Sequence, residues 1–445
     1  MVETSHSSSA LRTDRYELTM LAAALRDGTA HRRCVFELFA RRLPGGRRFG
    51  VVAGAGRFLS ALRDFRFGDA EIEWLAANQV VDAATLAWLA DYRFSGTIRG
   101  YREGELYFPG SPVLTVEASF AEGVVLETLA LSIFNHDSAV ATAAARMSLA
   151  AGDRPLAEMG SRRAGEHSAV AAARAAFIAG FDATSNLEAG RSWGIPTMGT
   201  AAHAYTLLHD SEEQAFRSQL AAQGVGTTLL VDTYDIAEGV ATAIRVAGTN
   251  LGGVRIDSGD PPVVAARVRA ELDELGATNT RTTVTSEPDE YAIAAPAASP
   301  VDAYGVGTSV VTGSGSPTAG MVYKLVARQG DDGAWVSVAK ASTDKASKGG
   351  RKAAFRRLRG GVASAEIIAV SEGFEAVTHE PAQQGDRPLQ VPLVLDGIID
   401  AQFEGSAGVL AAREHHRAVR TELPVRALGL SRSDPALPTV YVDVE

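Results

Sequence analysis

GFDATSNLEAGRSWGIPTMGTAAHAY, residues 180–205, sets small residues, hydroxyls and one histidine around two short apolar segments. Within it, GIPTMGTA predicts a buried strand over Ile195–Met198 that breaks at Gly199, and AYTLLHDSEEQAF predicts the helix that follows. His203 then falls in the first turn of a helix at the carboxyl end of a strand. Free N–H groups and the positive end of a helix dipole disfavour an imidazolium there and favour a neutral ring beside a bound anion. A histidine that merely packs or caps fits the same stretch.

The unit recurs on both sides. From about Glu122 to Val326, short apolar runs alternate with helical patterns, and the runs end in AEMGSRR, FIAGFDATSN, IPTMGTAAH, TLLVDTYD, GVRIDSGD, TVTSEPDEY and VDAYGVGTS. Each stops at Gly, Asp, Ser, Thr, Arg or His. Repeated β-then-α units imply parallel strands with right-handed crossovers, and this many predict a closed or nearly closed α/β barrel. The site of such a barrel lies at the carboxyl ends of its strands, where these polar residues converge.

The flanks read differently. DRYELTMLAAALRDG predicts a helix with Asp14 and Glu17 as an acidic capping box, Gly28 as its stop and Tyr16 in its first turn. A strand over Val35–Ala40 leads into a loop holding Arg41, Arg42, Arg47 and Arg48, for which a solvated turn and a phosphate contact both stand open. Residues 57–92 read as helical and 93–120 as a small antiparallel sheet, so this part is α+β. Beyond Ala339 comes the basic run KASTDKASKGGRKAAFRRLRGG, a solvated loop or a cover for polyphosphate. The helix GVLAAREHHRAV sends His415 and His416 in diverging directions, which argues against the pair as metal ligands.

With 46% apolar and 22% charged residues, the 445-residue chain is of globular composition. Its net charge of −10 argues against a nucleic-acid or anionic-membrane surface. A single cysteine, Cys34, excludes intrachain disulfides and fits a reducing, cytoplasmic setting. MVETSHSSSA reads as a polar tail with no signal-peptide pattern, and no apolar run approaches a membrane span.

Several groups carry chemistry. In RIDSGD, Arg255 offers forked donors to phosphate or carboxylate, Asp257 suits paired sugar hydroxyls, and Ser258 and Gly259 let backbone turn closely round a ligand; an Arg–Asp ion pair is the structural alternative. Gly305, Gly307 and Thr308 of GVGTS form a turn suited to a monophosphate. GSRR adds Arg162 at another strand end, and Asp232 of VDTYD is placed to orient His203. The dinucleotide G-x-G-x-x-G, the P-loop and the G-x-S-x-G elbow are all missing. Carboxylate spacing offers no metal cage, so only Mg2+ carried in with phosphates is expected.

TDRYELTM (13–20), FELFARRLPGGRRFGVVAG (36–54), ETLALSIFNH (127–136), GSRR, GFDATSN, GIPTMGTAAH, VDTYD, RIDSGD and YGVGTS together resemble nicotinate phosphoribosyltransferases, in colinear order over nearly the whole chain. The resemblance implies a type II phosphoribosyltransferase fold, an incomplete α/β barrel with an α+β domain formed from both chain ends. On that reading residues 1–125 and 339–445 form the α+β domain and 126–338 the barrel. It also implies that nicotinate and phosphoribosyl pyrophosphate condense to nicotinate mononucleotide and pyrophosphate, with ATP consumed through a phosphohistidine at His203. Tyr16 would stack on the pyridine ring from the other subunit of a homodimer. Arg162 and Arg255 would contact nicotinate or phosphates, Asp257 the ribose, and Gly305, Gly307 and Thr308 the 5′-phosphate. Ser185, with Asp182 as its rival, would face the ring substituent, which separates nicotinate from nicotinamide enzymes. A silent phosphoribosyl-binding relative would be expected to have lost His203, Arg255 or Asp257, and all three are present. In the basic loop, Gly349–Gly350 replaces the proline–glycine pair common in the family.

Overall fold

The computed structural model describes residues 8–295, 300–340, 348–371, 383 and 385–444. Residues 1–7 of the polar tail and residues 341–347 of the basic run lie outside them; the last residues of that tail, Ser9 and Ala10, are buried, with Ser9 Oγ donating to the carbonyl of Ala61 (2.7 Å). The chain divides into two compact units, one of Met1–Thr142 with Thr318–Glu445 and one of Ala143–Pro317.

In the first unit segments from the amino-terminal and carboxyl-terminal parts of the chain share one seven-stranded antiparallel sheet. Its order is Trp335–Ser337, Met321–Gln329, Arg33–Ala40, Leu114–Ser119, Thr97–Tyr101, Gln390–Leu395 and Ile398–Ile399. Met321–Gln329 falls inside the span read as barrel, yet it pairs antiparallel with Arg33–Ala40; an apolar run does not say which way its partner points. Helices Arg15–Asp27 and Ala55–Arg63 contribute Leu18, Leu21, Phe58 and Leu59 to a core that includes Phe36, Leu38 and Val116 of the sheet. Cys34 is buried there, which pushes its thiol up to about 11.

The expected capping box does not form. Asp14 makes no side-chain cap bond. Glu17 is buried instead and accepts from Thr128 N at 2.9 Å and from the hydroxyls of Thr13 and Thr128. A tertiary partner outcompetes the local one.

The basic residues are also tertiary. Arg48 donates to the carbonyl of Arg426 and to Ser431 Oγ (2.8 Å), and Arg47 is buried. The basic run enters strand Arg351–Arg359 of a four-stranded sheet. Lys352 pairs with buried Glu37 (2.7 Å), Arg356 with buried Glu366 (2.7 Å) and Arg357 with Asp386 (2.8 Å). These described residues form neither a solvated loop nor a phosphate cover, because buried charges require partners. His415 Nε2 lies 2.9 Å from Glu105 and His416 Nδ1 2.9 Å from the carbonyl of Gly104, so each ring has a structural contact.

The second unit is an incomplete α/β barrel. Its parallel strands are β1 (Leu156–Glu158), β2 (Ala183–Thr184), β3 (Thr228–Leu230), β4 (Gly253–Ile256), β5 (Arg281–Val284) and β6 (Ala303–Val306), in spatial order β2-β1-β6-β5-β4-β3. Leu229, Val254 and Ile256 are buried in one core with Val240, Ile244, Val268 and Leu272 of the helices that follow, as parallel strands require. The expected strand over Ile195–Met198 reduces to a single bridge, Thr184 to Thr197. Only Ile195 of those four residues is buried, and Pro196 brings no N–H to a ladder. The expected helix after His203 divides into His203–Leu207 and Glu212–Gln223, the second capped by Ser211 Oγ on Gln214 N.

Candidate active site

His203 is the first residue of a five-residue helix, and its side chain is 40% exposed. Nδ1 lies 3.2 Å from Thr233 Oγ1. Nε2 faces two carboxylates, at 3.7 Å from Asp257 Oδ2 and 3.9 Å from Asp232 Oδ1. Those separations exceed hydrogen-bond length, so the carboxylates act on the ring through their charge.

Asp232, whose side chain is wholly buried just past β3, grips the neighbouring turn instead. Its Oδ2 accepts from Asp257 N at 2.8 Å and Ser258 Oγ at 2.7 Å, while Oδ1 is buried without a donor. Gly259 closes that turn at φ +84°, a conformation that suits glycine. Asp257 Oδ1 accepts from Thr285 Oγ1 past β5. One hydrogen-bonded chain therefore runs through the ends of β3, β4 and β5.

Arg255, in β4, donates through Nη1 to Thr200 Oγ1 (2.7 Å) and the carbonyl of Ala201 (3.1 Å), fixing the loop before His203. Its Nε is buried without an acceptor. Burial works against its charge and lowers its pKa, as does Arg162, while Asp257 and Asp232 oppose the shift. Arg162 itself is exposed in the turn Ser161–Arg163 after β1. Two guanidiniums in electrostatic reach of each other make this end of the sheet a place for an anion.

Asp182 and Ser185 separate along β1. Asp182 Oδ2 accepts from Leu156 N (3.0 Å) at the amino end of the strand. Ser185 N donates to the carbonyl of Glu158 (2.8 Å) at the carboxyl end, and Ser185 is exposed there with Arg162. Asn186 beside it caps Ala189 N and donates to Ser161 Oγ at 2.9 Å. Glu158 is fully buried, accepts from Thr184 Oγ1 (2.6 Å) and Gly160 N, and has its pKa raised by that burial.

In the GVGTS turn the residues differ in what they do. A Cβ on Gly305 would lie 2.6 Å from Met159 Sδ and 2.7 Å from Thr285 Cγ2, so β6 packs against its neighbours only as glycine. Gly307 leads into the single turn Thr308–Val311. Thr308 N donates to Glu287 Oε2 at 3.2 Å.

Tyr16 belongs to the first unit, where it is 46% exposed at the start of its helix. Partial burial, then Glu127, Glu17 and Asp14, push its phenol up to about 12.

The sequence pattern by itself does not single out Glu158, Thr184, Thr200, Thr233 or Thr285. Their signal is present, since each is an acid or hydroxyl at or just after the end of a short apolar run. Among the described residues, no group of three or more His, Cys, Asp or Glu side chains is disposed to hold a metal ion. No described helix is long and apolar enough to cross a membrane.

Arginines, carboxylates and a half-exposed imidazole at the carboxyl edge of an open parallel sheet define an anion-handling α/β-barrel protein. Residues 11–135 match the family model described as nicotinate phosphoribosyltransferase (NAPRTase) N-terminal domain. The chain is 55% identical over 437 residues to a nicotinate phosphoribosyltransferase of Mycobacterium tuberculosis, covering 96% of this chain and 94% of that one. To the Bacillus subtilis nicotinate phosphoribosyltransferase it is 38% identical over 360 residues, 78% of this chain and 73% of the other. The crystal structure of human nicotinic acid phosphoribosyltransferase superposes with a TM-score of 0.79 at 26% identity, covering 96% of this chain and 97% of the human one. The chain belongs to the nicotinate phosphoribosyltransferase family.

Proposed function

We propose that this chain condenses nicotinate with 5-phosphoribosyl 1-pyrophosphate to give nicotinate mononucleotide and pyrophosphate, with ATP hydrolysed through phosphorylated His203. The observation that carries the reading is Arg255, with a buried Nε lacking an acceptor and a second guanidinium, Arg162, in reach, at the strand ends that also present Asp257 and His203. This is a donor set in need of an anion beside an acceptor set for sugar hydroxyls.

In the transfer, the lone pair of the pyridine nitrogen forms the bond to the anomeric carbon as the bond to the pyrophosphate oxygen breaks. The electron pair leaves with pyrophosphate. An oxocarbenium-like centre needs positioning and a neutralised leaving group more than a base. Asp257, held by Asp232 and Thr285, takes the ribose hydroxyls, with Ser258 beside it. Arg162 and Arg255 take the nicotinate carboxylate or phosphate oxygens. Gly307 and Thr308 receive the 5′-phosphate, and Gly305 lets β6 bring them close. Ser185, on the carboxyl side of β1, faces the ring substituent, whereas the Asp182 carboxylate is engaged at the amino side, away from it.

In the tautomer whose Nδ1–H donates to Thr233, the lone pair of His203 sits on Nε2. It attacks the γ-phosphorus of ATP as the bond to ADP breaks, and water later releases phosphate. Asp232 and Asp257 beside Nε2 would repel a bare polyphosphate, so the nucleotide and the pyrophosphoryl substrate enter as Mg2+ complexes. The working form is a cytoplasmic homodimer in which Tyr16 of one subunit stacks on the pyridine ring of the other. Its exposed ring and family membership support that assignment.

The test is a paired assay of nicotinate and nicotinamide with phosphoribosyl pyrophosphate, with and without ATP. Nicotinate mononucleotide formation, stimulated by ATP, is expected. Product from nicotinamide alone refutes the substrate, and no product from either refutes the activity. His203→Ala is expected to abolish transfer of label from γ-labelled ATP to the protein, and persistent labelling moves the acceptor elsewhere.

A further inference from the structure

Glu287 stands out at the same edge of the sheet. Among the described residues it is one of four non-glycine residues at positive φ (+50°), in a tight turn where its N–H donates to the carbonyl of Thr285 at 2.8 Å. A glutamate in this conformation is uncommon, and such backbone clusters where ligands are clamped. The turn aims the side chain at the GVGTS segment. Oε2 accepts from Thr308 N at 3.2 Å, and Oε1 lies 3.3 Å from Arg163 Nη2. A Cβ built on Gly307 would lie 3.8 Å from Oε2 and 3.9 Å from Oε1, so the carboxylate covers that glycine.

A backbone N–H, a guanidinium and a bare glycine are the donors and the clearance that a phosphate group uses. Here a carboxylate of the chain itself has them. We propose that Glu287 is a built-in competing anion that occupies the Thr308 N–H and Arg163 until a phosphate of the phosphoribosyl substrate displaces it. This rests on the phosphoribosyl reading above. Both partners are about half exposed, at 51% for Arg163 and 53% for Glu287, so the pair is weak enough to yield to a doubly charged phosphate. A singly charged carboxylate or chloride has no such advantage over Glu287, and the residue thereby selects phosphate monoesters over common monoanions.

The test uses the full-length protein and calorimetric titration with ribose 5-phosphate. Glu287→Gln is expected to bind it about two- to fivefold tighter than the wild type, the range an exposed ion pair commands. The KM for phosphoribosyl pyrophosphate falls by the same factor, and kcat does not rise. Glu287→Asn, whose side chain tolerates the positive φ, behaves alike. Arg163→Gln weakens binding more in the Glu287→Gln background than in the wild type, because only there is Arg163 free of its internal partner. If the wild type binds ribose 5-phosphate and Glu287→Gln binds it equally or more weakly, the carboxylate merely anchors Arg163 and the proposal falls alone. If neither protein binds it, the phosphoribosyl reading falls and the proposal with it.

Discussion

Replacing Asp232 tests how the site is held together. Its Oδ2 accepts from Asp257 N (2.8 Å) and Ser258 Oγ (2.7 Å), and its side chain is wholly buried. A hydrogen bond to a charged acceptor contributes about 1.5–3 kcal/mol. Ser258 is exposed and turns to water when the carboxylate is gone, whereas the part-buried N–H of Asp257 has no ready substitute. Relief from burying Oδ1 without a donor offsets part of the loss. Asp232→Ala is therefore expected to destabilise the barrel unit by about 2–3 kcal/mol, and Asp232→Asn, which keeps an oxygen on both donors, by about 1 kcal/mol. For a unit of this size that means Tm falling by roughly 5–10 °C and 2–4 °C. Because Asp257 is released, the KM for phosphoribosyl pyrophosphate rises in the same order. Differential scanning calorimetry and initial rates on the three proteins check this. Melting of Asp232→Ala with the wild type at unchanged KM would show that the carboxylate does not hold the turn. Equal damage from Asn and Ala would show that its charge near His203, rather than its hydrogen bonds, is what matters.

Gly305→Ala drives a methyl group against Met159 and Thr285, which is expected to cost about 1–3 kcal/mol of stability. It also raises the KM for phosphoribosyl pyrophosphate, since Thr285 bonds to Asp257; an unchanged melting curve would refute the packing argument. Glu212 is pushed from 4.5 up to about 7 by burial, then by Glu238, Asp232 and Asp235. Between those values the folded protein keeps a proton that the unfolded chain has lost, so the group's stabilising contribution, complete below pH 4.5, is lost as pH rises through 7. Glu212→Gln is expected to flatten Tm against pH over that window and to melt higher than wild type above pH 7. Parallel curves for the two proteins would refute it.

Much of this site is legible because short apolar runs ending in Arg, Asp, Ser, Thr or Gly report both a buried strand and its polar end. The positions of His203, Asp257, Arg255 and Thr308 follow from that pattern. Partners were not legible in the same way. The sequence pattern offers Asp232 as the orienter of His203; in the structure the ring's hydrogen bond is to Thr233, and the carboxylate, 3.9 Å from Nε2, holds Asp257 and Ser258. Glu17 has the spacing of a local cap and instead accepts from Thr128. The lysine and arginines of the basic strand pair with Glu37, Glu366 and Asp386, distant in sequence or on a neighbouring strand.

By itself, the sequence determined the family, the alternation of strand and helix, and which strand ends carry polar side chains, since local spacing encodes burial. Tertiary structure alone decided that 195–198 stays a single bridge, and that Asp182 and Ser185 lie at opposite ends of β1. It also decided that Glu287 reaches the Thr308 amide. Each of these depends on which side chain or backbone group a distant segment brings within about 3 Å, the range over which a hydrogen bond forms.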